Sequence, residues 1–156
     1  MARIRHIAIT TQDVDATAKF YIDAFGLKEV GKVSSDNAKG YYLSDGHVNL
    51  AILNFTNPAA AGPEFGVEYS GIHHIGFEVD DLAETTAKLE SIGSEPRDDI
   101  NQALGLSMGG SAPARRFNVE TKYRGPDNVI FDVSEHGWVG THPEENATEA
   151  IKAEVR

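Results

Sequence analysis

The apolar positions of this chain fall into strand-like and helix-like stretches that occur twice in the same order. Residues 4–14, Ile-Arg-His-Ile-Ala-Ile-Thr-Thr-Gln-Asp-Val, alternate as a strand and pass through an acidic residue into a helical pattern. Residues 72–82, Ile-His-His-Ile-Gly-Phe-Glu-Val-Asp-Asp-Leu, do the same. The two superpose at an offset of 68, with His6 on His74, Asp13 on Asp81 and Val14 on Leu82. An internal repeat of this kind defines the architecture before any single element does.

Each helix carries its own start and stop signals. Asp13 is placed to cap a helix whose apolar face is Val14, Ala18, Tyr21, Ile22 and Phe25, and Gly26 ends it. In the second copy Asp81 and Glu84 are spaced as a capping box. Leu82, Leu89 and Ile92 form the stripe predicted to be buried, and Gly93 is the stop. Strand-like stretches follow each helix, near 27–34, 39–44 and 47–55 in the first copy and near 94–98, 115–123 and 128–134 in the second. Asp45-Gly46 and Gly125-Pro126-Asp127 mark turns. The ends of the copies register at an offset of 81, pairing Tyr42 with Tyr123, His47 with Asn128 and Ala51 with Asp132.

The pattern predicts an α+β fold of two βαβββ modules, residues 1–56 and 72–138, in one compact domain. Residues 57–71, with Pro58, Gly62 and Pro63, read as a linker. The extra residues of the second copy fall in 99–114, rich in Gly, Ser and Ala, where a long loop is either a lid or an excursion without a role. Residues 139–156 form a tail. In it Thr141 and Glu144 suggest a charged helix over 141–156.

Composition narrows the function. There is no cysteine, which removes thiolate catalysis, Cys-ligated metals and a disulfide scaffold, and fits a reducing, cytoplasmic setting. A net charge of -10 disfavours phosphate backbones and anionic membranes, so neither nucleic acid nor membrane is an expected partner. No apolar run reaches the length of a membrane span. The opening Met-Ala-Arg-Ile-Arg-His enters strand sequence at once, so no signal peptide is expected.

Two modules that each open on a His-bearing strand resemble the vicinal oxygen chelate superfamily, the glyoxalase, bleomycin-resistance and ring-cleaving-dioxygenase group. The resemblance covers residues 3–138. It is carried by Arg5-His6-Ile7-Ala8-Ile9, by Ile72-His73-His74-Ile75-Gly76-Phe77 and by the stretch from Gly125 to Asp132. In that stretch Asp132 stands six residues after Pro126, as the acidic ligand does in the family. The resemblance implies a curved mixed sheet around a metal and substrate cavity. It also implies that the first and last strands of each module present His6, Ala51, His74 and Asp132 to one point.

Three of those four positions can ligate. His6, His74 and Asp132 would hold one divalent metal, since imidazoles and a carboxylate suit Fe2+, Zn2+, Ni2+, Mn2+ or Co2+. Two His and one carboxylate favour Fe2+ and a dioxygenase acting on a small substrate with adjacent oxygens. The alternatives are a glyoxalase- or epimerase-like lyase or isomerase, and a metal-free drug- or metabolite-binding protein of the bleomycin-resistance type. The resemblance implies that Ala51 stands where glyoxalase-type lyases carry a fourth, acidic ligand and where epimerases tend to keep a polar one, which argues against both chemistries. Candidate acid–base groups are Tyr123, Glu120 and His47. His47 and Asn49 share a predicted strand face with Ala51. His73 alternates to the face opposite His74 and is not counted as a ligand. His136 and Trp138 either line the cavity mouth or cap the core, and His142 lies in the tail without an assigned role. Open sheet edges, together with the resemblance, imply a homodimer.

Overall fold

A computed structural model describes residues 1–105 and 120–142. It contains seven strands and four helices: β1 Arg3–Thr10, α1 Val14–Phe25, β2 Lys28–Ser34, β3 Ala38–Ser44, β4 Asn49–Phe55, α2 Pro58–Ala61, β5 Gly71–Glu78, α3 Leu82–Ser91, α4 Asp98–Ala103, β6 Thr121–Arg124 and β7 Ile130–Ser134. The strands form one curved mixed sheet in the order β2-β3-β4-β1-β5-β7-β6. β1 runs parallel to β4 and β5 runs parallel to β7, while β1 and β5 pair antiparallel at the centre. The two repeats therefore meet along their His-bearing strands.

The helices form where their caps allow. The Asp13 carboxylate accepts the Ala16 N–H at 2.9 Å, and Gly26 closes α1 in the left-handed conformation at φ 69°. Asp81 accepts the Glu84 N–H at 2.8 Å. Each such cap contributes about 1 kcal/mol. α1 lays Val14, Ala18, Tyr21 and Ile22 against Leu43 and Ile52. α3 lays Leu82 and Leu89 against Val79, Tyr123 and Val133. Phe25 and Ile92, predicted to be buried, are 68% and 72% exposed because each lies at the end of its helix, beyond the reach of the sheet. A third cluster, built on Ala8, Ala51, Leu53 and Phe55, packs against Ala60 and Ala61 of α2 and floors the cavity.

Several expectations are corrected. Residues 94–98 form no strand. Pro96 makes one isolated bridge to Tyr123, flanked by Arg97 N–H to Lys122 O and Arg124 N–H to Glu95 O. The linker contains α2, and the stretch read as a long loop begins with α4. The remainder of that stretch, 106–114, lies outside the described residues, as does 143–156 of the tail. The helix expected beyond Thr141 falls in that undescribed stretch, and Thr141 itself is described. It is buried, and its hydroxyl donates to Trp138 O at 2.7 Å. Among the described residues no helix is long and apolar enough to cross a membrane.

The β1–β5 ladder contains two bulges. Its register steps from Ile4↔Phe77 to His6↔Gly76, leaving Arg5 as an extra residue, and from Ala8↔His74 to Ile9↔Ile72, leaving His73 extra. A bulge breaks the strict alternation of faces. The assignment of His73 to the face opposite His74 therefore fails: both rings are buried, and they touch.

Candidate metal centre and cavity

β1 contributes His6, β5 contributes His74 and β7 contributes Asp132, and all three are at most 3% exposed. Glu120, just before β6, completes a group whose ligand atoms lie within 4.8 Å of one another. The His6 and His74 Nε2 atoms are 3.2 Å apart, and Asp132 Oδ2 lies 3.2 Å from His74 Nε2. The group opens into a cavity of about 280 Å³ whose walls include Val33, Leu53, Phe55 and Leu104, with Ser35 and Asn37 as polar points.

Each donor is held from behind. His6 Nδ1 pairs with Asn49 Oδ1 at 2.9 Å, and Asn49 in turn donates to Val139 O. The His6 ring stacks on Trp138 at 4.9 Å between centroids and 3° between planes. Gly76, opposite His6 in the ladder, makes that stack possible. A Cβ there would come within 2.7 Å of the Trp138 ring and of His6 Cβ. Trp138 Nε1 donates to Glu120 Oε1 at 2.8 Å. Trp138 is thus buried behind the donor group and is not among the residues lining the cavity, the core-capping alternative of its sequence reading.

Lys122 was not among the sequence candidates. Its ammonium is buried, 2.8 Å from Asp132 Oδ1 and 3.6 Å from Glu120 Oε2. The β6–β7 register pairs Lys122 directly with Asp132. That register follows from the turn closed by Gly125 N–H to Val129 O, so counting outward from the turn would have found the pair. Strand lysines otherwise read as solvent-facing.

Burial and charge shape the titration of the group. Burial, with the nearby Lys122 charge, holds His74 well below the ordinary histidine range. Burial and the Asp132 carboxylate raise Glu120. Burial pulls Lys122 down, but the Asp132 and Glu120 carboxylates outweigh it and hold the ammonium above its ordinary range. Among the described residues, Asp132 Oδ2 is buried and meets no hydrogen-bond donor. A buried carboxylate oxygen without a partner is costly, and two imidazole nitrogens facing it make the spot suited to a cation.

Two acid–base candidates stand elsewhere. The Tyr123 hydroxyl lies on the helix-covered side, 3.3 Å from Thr86 Oγ1, and the ring stacks on Phe131. It alternates away from Lys122 and cannot reach the donors. His47 is exposed in the turn before β4, where Asp45 captures the His47 and Val48 N–H groups at 2.8 Å each and delays the strand. Asn49, its predicted face-mate, does reach the site. His136 is exposed, and His142 Nε2 lies 2.8 Å from Glu78 Oε2.

A sheet in which two repeats pair through His-bearing strands, with a carboxylate from the last strand joining them over a cavity, defines the vicinal oxygen chelate class. Residues 3–131 match the Glyoxalase/Bleomycin resistance protein/Dioxygenase superfamily, and the chain belongs to it. The uncharacterized protein YaeR of Escherichia coli K12 is 30% identical over 94 residues, covering 58% of this chain and 71% of YaeR. Among solved structures, a Streptomyces coelicolor methylmalonyl-CoA epimerase bound to 2-nitronate-propionyl-CoA superposes with a TM-score of 0.65 at 21% identity, over 84% of this chain and 94% of that one. A methylmalonyl-CoA epimerase in complex with methylmalonyl-CoA and NH4+ gives 0.62 at 25% identity, over 85% and 93%.

Proposed function

We propose that this protein is a metal-dependent isomerase or lyase of the glyoxalase–epimerase type, acting on a small carbonyl compound with adjacent oxygens. In this reading His6, His74 and Asp132 hold one divalent ion, and Glu120 takes and returns the substrate's proton. The observation that carries it is the position of Glu120. The absence of an acid at Ala51 argued against such chemistry, and Glu120 supplies a fourth donor, the second acidic one, at the same cluster from the second repeat.

The donor set fits a metal. Two imidazole nitrogens and an orphaned carboxylate oxygen converge, and such donors suit zinc, nickel, manganese, cobalt or iron. A bound divalent ion would act as a Lewis acid on the substrate's oxygens. The protein's own groups do the rest. Glu120, raised by burial and by Asp132, is moved towards the range in which a carboxylate exchanges protons near neutrality. Trp138 fixes one of its oxygens and leaves the other beside Lys122, whose charge steadies the ionised form. Val33, Leu53 and Phe55 give the cavity an apolar wall for the substrate's carbon skeleton.

The named substrate of the epimerases sharing this fold, methylmalonyl-CoA, is the first compound to test. Metal content after mild purification is paired with solvent-deuterium exchange into methylmalonyl-CoA, 2-hydroxy ketones and 2-hydroxy acids, followed by NMR. Exchange that is lost in Glu120→Gln while metal is retained supports the proposal. Iron with oxygen uptake on catechols, and no exchange, would instead favour the dioxygenase reading. The count of two His and one Asp is the observation behind that second reading. Tight ligand binding without metal would place the protein with the sequestering members of the superfamily.

A further inference from the structure

The first imidazole of the His73–His74 pair has no role in the chemistry above, yet its contacts are specific. The His73 ring is 3% exposed and packed against Phe55 and Phe65, at 5.0 and 4.5 Å between centroids. Its Nε2 lies 2.7 Å from Ala61 O, at the end of α2. Its Nδ1 lies 2.8 Å from His74 Nδ1, with the rings nearly perpendicular at 83°. The bulge at His73 is what brings the two rings together.

These contacts dictate where the hydrogens sit. A carbonyl oxygen only accepts, so His73 Nε2 carries the hydrogen. With the single hydrogen of the imidazole on Nε2, Nδ1 is the lone pair of the ring. A lone pair 2.8 Å from His74 Nδ1 then requires the hydrogen on the His74 side. That leaves His74 Nε2 bare, 3.2 Å from both His6 Nε2 and Asp132 Oδ2.

We propose that His73 is a positioning residue for the metal centre: the Ala61 carbonyl sets the tautomer of His73, which sets the tautomer of His74 and presents the His74 Nε2 lone pair to the cation. This deepens the metal-centre reading and rests on it. Ligand histidines are commonly oriented by a carboxylate or carbonyl directly behind them. Here a neutral imidazole stands between ligand and carbonyl. It adds no charge to the centre and ties the segment joining the two repeats to a ligand.

The first test is independent of metal. Imidazole 15N NMR of the metal-free, full-length protein is expected to show hydrogen on His73 Nε2 and on His74 Nδ1. Hydrogen on His74 Nε2 overturns the proposal. The second test titrates Zn2+ and Co2+ by calorimetry into wild type, His73→Phe and His73→Gln, each checked for folding by circular dichroism. His73→Phe keeps the aromatic packing but offers no acceptor, and is expected to weaken binding about 10- to 100-fold. His73→Gln, which can accept from His74 and donate to Ala61 O, is expected to recover most of the loss. Wild-type affinity in His73→Phe would reduce His73 to packing and overturn the proposal. If that variant does not fold, the tautomer measurement on the wild type decides. A wild type that takes up neither ion overturns the metal-centre reading, while the NMR result still decides for or against the relay.

Discussion

His6 Nε2 and His74 Nε2 face each other at 3.2 Å across the central β1–β5 pair, each ring held from behind by a separate partner, Asn49 for one and His73 for the other. With both rings carrying their hydrogen on Nδ1, as proposed for His74, two lone pairs at that distance repel unless a cation lies between them. His6→Ala and His74→Ala are each expected to lower Zn2+ or Co2+ affinity by at least about 100-fold without loss of secondary structure. Saturating metal at 100 times Kd should stabilise the wild type by about 2.7 kcal/mol. Calorimetry and thermal unfolding with and without metal check both, and a melting temperature indifferent to metal would count against the site.

The Lys122–Asp132 pair is a buried ion pair, in which the cost of removing one partner exceeds the worth of the pair. Asp132→Leu leaves the Lys122 ammonium with only Glu120, 3.6 Å away, and is expected to destabilise by about 3 kcal/mol. Adding Lys122→Met should restore most of that. Urea unfolding of the two single variants and the double variant gives the coupling directly, and simple additivity would contradict the pairing.

Gly76→Ala places a methyl group within 2.7 Å of the Trp138 ring and His6 Cβ. The expected cost is about 1–3 kcal/mol, with weaker metal binding as His6 is displaced. Trp138 is the only tryptophan, so its emission reports the disturbance without labelling. An unchanged spectrum would show that the stack absorbs the methyl.

A pH effect is expected from Arg97, which is buried and paired with Glu64 and Asp99. The guanidinium holds both carboxyls below their ordinary range. The folded state then binds fewer protons than the unfolded one, so the contribution is present above the ordinary carboxylate range and is lost as pH falls through it. Both carboxylates are partly exposed, which keeps the effect small. Melting temperature between about pH 5 and pH 2 should fall less steeply in Arg97→Met than in the wild type.

The repeat and the helix caps were legible because each rests on local periodicity or turn chemistry, and the grouping of the distant His6, His74 and Asp132 came from their repeat positions together with the family resemblance. What was missed depends on how two remote segments fit. Lys122 looks like a solvent-facing strand residue until its register with Asp132 is counted. His73 was sent to the wrong face because alternation assumes an unbroken ladder, and the bulge forms only when β5 meets β1. His47 was chosen for sharing a strand face with Ala51 and Tyr123 for its neighbouring strand, but the Asp45 turn keeps His47 off the strand and Tyr123 alternates away from Lys122. Tyr123→Phe should cost about 1 kcal/mol through its bond to Thr86, and neither it nor His47→Ala should alter metal affinity.

The two extra residues in the central pair, Arg5 and His73, make the cavity depend on how many residues each strand has as well as on which ones. Excising either would let the ladder run evenly and turn the residues on one side of the cut inside out relative to the other. A one-codon deletion there should therefore disable the protein more thoroughly than most substitutions, with the amino acids that do the chemistry left intact.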